Sequence, residues 1–117
     1  RQAEAALARG RPLEAREAAR DILKEVPDSL VGLALWADAA EVAWLDHEVV
    51  EALAALAEQV PWRADVWLRL GRAHLRIAAG DPSSGADAAG RDALERAVSA
   101  PDERAALLLF LKKTLGR

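Results

Sequence analysis

Trp67-Leu68-Arg69-Leu70-Gly71-Arg72-Ala73-His74 is the stretch that decides how the rest of the chain is read. Trp67, Leu70, Gly71 and His74 stand at i, i+3, i+4 and i+7, a spacing that gathers side chains on one face of an α-helix. On that face Gly71 leaves room for a second helix to cross closely, and Trp67 and Leu70 fill the space beside the crossing. Arg69, Arg72 and Arg76 recur at i, i+3 and i+7 on the other side. Outward from this stretch the chain is broken by Pro61 on one side and Pro101 on the other, and Pro27 lies 34 residues before Pro61. Proline lacks the N–H a helix needs and clashes with the preceding turn, so each of the three marks a helix end and a sharp bend.

A second break lies ahead of each of these helices. Gly10-Arg11-Pro12 precedes the first, with Pro12 suited to a first helical turn. Leu45-Asp46 precedes the second, where Asp46 is expected as the N-cap. The run from Gly80 to Gly85 precedes the third. Ser29 reads as a further N-cap, and residues 102–115 read as a last helix behind Asp102. The spacing therefore predicts helix pairs, seven helices in all, in an all-α chain. The composition agrees: 28 Ala and 18 Leu in 117 residues, against 5 aromatics and no alternating Val/Ile runs, exclude a β-sandwich or barrel.

Trp67-x2-Leu70-Gly71-x2-His74 resembles the first-helix signature of the tetratricopeptide repeat, with His in the place of Tyr. Leu33-x2-Trp36-Ala37-x2-Ala40 is a weaker copy, continued by Val49-x3-Leu53 and closed at Pro61. Ala3-x2-Ala6 and Ala15-x3-Ala19 before Pro27 make a front-truncated first unit. The third unit has a longer loop, and its second helix fits either Ala89-x3-Ala93 or Gly90-x3-Leu94, the latter preferred because it buries Ala97 rather than Arg96. The resemblance implies an α-α superhelix of about three repeats, at residues 1–28, 29–62 and 63–101, with the terminal helix as cap. It is a single domain, expected to be a fragment of a longer protein.

Other classes are set aside on residue content. The chain has no Cys and no Met, and its formal charge of −3 is the wrong sign for a general nucleic-acid binder. No apolar run is long enough to span a membrane and no signal peptide is legible, so the cytoplasm stands only as a default. Arg outnumbers Lys 13 to 3, a usage that resembles high-GC bacterial coding. No cofactor motif or nucleophile signature occurs, so no catalytic residue and no cofactor is expected. His47 and Glu51 are spaced to share a helix face, but they lack the further ligands a metal requires and read as a solvated helix start. His74 reads as a packed imidazole.

The expected function is a non-catalytic protein–protein interaction module, a scaffold or adaptor. In the resembled family the first helices of each pair line a concave groove. By that resemblance Arg69, Arg72 and Arg76 face the groove, Lys113 extends the stripe, and Leu35, Leu68 and Leu75 add apolar contact beside Asp38. Guanidinium forks suit the carboxylates or phosphates of an acidic peptide. The alternative is that the stripe is solvated or pairs internally with Asp38 and Glu41. The residues that would clamp a C-terminal carboxylate are not matched at Ala34, Leu35, Asp38 and Asp65, where only Arg69 fits. Trp44 and Trp62 lie near turns, as interface residues or as staples of those turns. Leu108 and Phe110 belong to an apolar run in the terminal helix, which would meet either a further repeat or a second copy in a homo-oligomer.

Overall fold

The computed structural model describes residues 10–100 together with 108 and 111–113. Among the described residues the protein is all-helical, with five α-helices and no strand. They are α1 (Pro12–Glu25), α2 (Leu30–Val42), α3 (Asp46–Gln59), α4 (Ala64–Gly80) and α5 (Ala86–Ser99), with a 3-10 turn at Pro82–Ser84. The expected count of seven is thus not met within these residues. The first and last of those seven were placed at stretches lying largely outside them, although Leu108 and Leu111 are helical.

Local chemistry sets the boundaries. Pro12 occupies the first turn of α1, where its missing N–H costs nothing. The Ser29 hydroxyl accepts the Gly32 N–H at 3.0 Å and caps α2. Pro27 and Pro61 stand in the turns after α1 and α3. Asp46 corrects the expectation made for it. Leu45 is the N-cap residue of α3, without a side-chain cap, and Asp46 lies in the first turn. There its charge complements the helix dipole while it binds Arg76 of α4.

Successive helices from α1 to α5 pack against one another. The main core joins Leu33, Ala37 and Ala40 of α2 to Val49, Leu53 and Leu56 of α3 and to Val66, Leu70 and Ala73 of α4. On another side of α2, Leu35 and Ala39 close on Ala15 and Ala19 of α1. So α2 is clasped from two sides, and its Ala and Gly residues are what let both neighbours come close. The tightest crossing is between α4 and α5. A Cβ on Gly71 would lie 3.1 Å from the Gly90 carbonyl oxygen, and one on Gly90 would lie 3.1 Å from that of Gly71. Gly90 and Ala93 are buried, Leu94 and Ala97 half-buried and Arg96 exposed, so α5 turns residues of both candidate registers inward and Ala97 is less covered than expected. Among the described residues no helix is long and apolar enough to cross a membrane.

Candidate interaction surface

The arginine stripe does not sit in solvent as a row of free cations. Arg69 reaches from α4 to α2, donating from Nη2 to Asp38 at 2.9 Å and to Glu41 at 2.7 Å, and from Nε to Glu41 at 3.3 Å. Burial works against its charge, but hydrogen bonds and the field of Glu41 and Asp38 outweigh that and hold its pKa above the ordinary guanidinium value. Arg76 donates to Asp46 at 2.8 Å. Arg72 is exposed and makes no ion pair among the described residues. Internal pairing, the alternative held open above, therefore takes two of the three arginines.

The fork from Arg69 makes α2 and α4 into one wall. Helical register places Val31, Asp38 and Val42 along the α2 side and Leu68, Arg72 and Arg76 along the α4 side. Val31 and Val42 are 60% and 55% exposed, and Leu68 is 38% exposed. Asp65, at the start of α4, is engaged by Arg63 at 2.6 Å, which holds its carboxyl below the ordinary value.

Other expected site residues fall elsewhere. Leu35 is buried against α1, so it is core and gives no open contact. The resemblance had put Leu35 on the groove face, but α2 is covered on two sides. Leu75 is half-buried and packs into the α4–α5 seam over Gly90. Lys113 and Leu108 are exposed, and Phe110 lies outside the described residues. Trp62 packs against the main core, whereas Trp44 is 77% exposed. His47 and Glu51 are exposed, and among the described residues no cluster of three metal-ligating side chains forms. His74 is half-buried, and burial pushes its imidazole below the ordinary pKa.

Two features were missed in the sequence. Glu48 of α3 accepts two hydrogen bonds from Arg16 of α1 and one from the Trp36 indole of α2. Its only sequence signal is the 32-residue separation of Arg16 and Glu48, close to the spacing of Pro27 and Pro61. The second is an open cleft of about 490 Å³ lined by Trp44, Leu45, Ile77, Gly80 and Asp81 among others. No family model matches the chain, and no curated protein matches it significantly.

Proposed function

We propose that this chain is a non-catalytic interaction module built of tetratricopeptide-like helix pairs, and that its α2–α4 wall receives a partner peptide. The prolines at the ends of α1 and α3, the glycine crossing of α4 and α5 and the sequential packing of helices support that family reading. The observation that carries the binding role is Arg72, a cation with no ion pair among the described residues, on a wall where Arg69 and Arg76 are already held by Asp38, Glu41 and Asp46, beside open Leu68. Two of three arginines are already satisfied, so the wall selects one acidic group beside an apolar side chain rather than a long acidic run. Arg72 binds the carboxylate or phosphate, and Leu68 and Val31 take the apolar part.

Selection of displayed random peptides on the purified chain tests this. The enriched peptides should share an acidic residue near an apolar one, and Arg72→Glu or Leu68→Glu should weaken their binding about tenfold or more. Enriched peptides indifferent to both substitutions would remove the wall from the function.

A second reading, self-association through the terminal segment, is favoured by Leu108 and Leu111, 60% and 40% exposed. Sedimentation separates the two readings: a monomer at all concentrations excludes self-association.

A further inference from the structure

Trp44 occupies a backbone position where glycine would be expected. It follows the end of α2 with φ +60°, the left-handed conformation. Its own N–H bonds to the Glu41 carbonyl at 3.2 Å, and the Leu45 N–H bonds back to the Ala40 carbonyl at 2.9 Å. This is the Schellman turn, whose left-handed residue is usually glycine because a side chain there is strained. Among the described residues no hydrogen bond or ring contact of the indole offsets that strain. Trp36 donates its indole N–H to Glu48 at 2.7 Å, Trp67 donates to the Pro61 carbonyl at 3.0 Å, and Trp62 packs on the core. Trp44 has no hydrogen-bond partner among the described residues and lies 77% exposed. It forms one wall of the 490 Å³ cleft.

The charge of that cleft is not balanced. Arg76 is taken up by Asp46 and Glu48 by Arg16, so those charges cancel. His47 is exposed at the rim. Asp81 has no cationic partner among the described residues; it holds the Ser83 N–H and hydroxyl. It stands at the carboxyl end of α4, whose last turn carries no basic residue, so the negative end of the helix dipole adds to the carboxylate. An aromatic ring and an uncompensated negative end that line one cleft are complementary to a cation. The chain already makes one such contact, with the Arg96 guanidinium 5.0 Å from the Trp67 ring centre.

We infer that the Trp44–Asp81 cleft is a docking site for a basic side chain, arginine or lysine, of a partner polypeptide. The cation stacks on the Trp44 face and its charge meets Asp81, while Leu45 and Ile77 hold the aliphatic stem. The site stands independently of the α2–α4 wall and of Arg72.

Indole N–H resonances of the full chain, followed by NMR during addition of capped Gly-Arg-Gly-Arg-Gly, test it, with the Glu counterpart as control. The arginine peptide should move the Trp44 signal saturably and less so at high salt. Trp44→Gly should weaken peptide binding, read from the remaining cleft signals, by about two- to fivefold, with a melting temperature equal to or above that of the parent. Asp81→Asn, which keeps an oxygen to cap the turn, should weaken it by a similar factor. Equal affinity in Trp44→Gly, an equal response to the Glu peptide, or a lowered melting temperature in Trp44→Gly would each overturn the assignment. So would a Trp44 signal that shifts with protein concentration alone, which would put a second copy in the cleft.

Discussion

Arg16 and Glu48 join the first and third helices of the described chain by two parallel hydrogen bonds, Nε to Oε1 at 2.6 Å and Nη2 to Oε2 at 2.7 Å. The Trp36 indole donates to the same Oε1 at 2.7 Å, so one carboxylate ties three helices together. The Arg16 bonds, opposed by burial and reinforced by Trp36, hold the Glu48 carboxyl below its ordinary pKa. Because the folded value is the lower one, this stability is present above about pH 4.5 and is lost as pH falls through the folded value. Glu48→Gln keeps the shape but removes the charge-assisted fork. Urea titration should show a loss of about 1–2 kcal/mol at neutral pH, with the acid-induced loss diminished.

The glycines separate by their surroundings. A Cβ on Gly71 would lie 2.8 Å from Leu94 side-chain atoms, and the Gly90 carbonyl cannot retreat without moving α5. Alanine gains up to about 1 kcal/mol of helix propensity there but incurs about 1–3 kcal/mol of overpacking. Gly71→Ala should therefore be neutral to destabilising by about 2 kcal/mol, and Gly71→Val worse. Gly80, at the end of α4 with open space around its Cβ position, should gain stability on Gly80→Ala by about 0.5–1 kcal/mol. Thermal unfolding of the set checks the contrast.

Helical class, the turns at Pro27 and Pro61 and the Ser29 cap were legible because each depends on residues within a turn or two. The partners of Arg69 were legible only as an alternative. Its bonds to Asp38 and Glu41 span 31 and 28 residues, and such pairs exist only after the helices are placed. Leu35 was misplaced for a related reason: the resemblance put it on the groove face, and nothing in the sequence says that α1 and α3 would cover two faces of α2. Trp44 was visible as an odd residue near a turn, while its left-handed backbone was not.

Arg69 and Arg72 differ by one helical step and should differ in what they do. Arg69→Ala leaves Asp38 and Glu41 without their cation and should cost about 1 kcal/mol, a modest figure because the fork is partly in solvent. Arg72→Ala should stay within about 0.5 kcal/mol of the parent while weakening peptide binding. Chemical denaturation with peptide titration on the same samples resolves the two.

His74 adds a pH dependence of its own. Burial lowers its folded-state pKa from the ordinary 6.5, so the unfolded chain binds more protons in the window between the two values. Its contribution is constant above about pH 6.5 and declines as pH falls below it. Melting temperatures of the protein and of His74→Gln from pH 7.5 down to 5.5 should diverge in slope, the variant being flatter.

The central claim, that the α2–α4 wall receives a partner peptide, is met most directly by methyl NMR of the chain with a selected peptide. The Val31, Val42 and Leu68 methyl signals should move saturably, and Arg72→Glu should abolish the movement. Saturable binding that moves Val98 or Leu94 of α5 and leaves those three methyls still would contradict it.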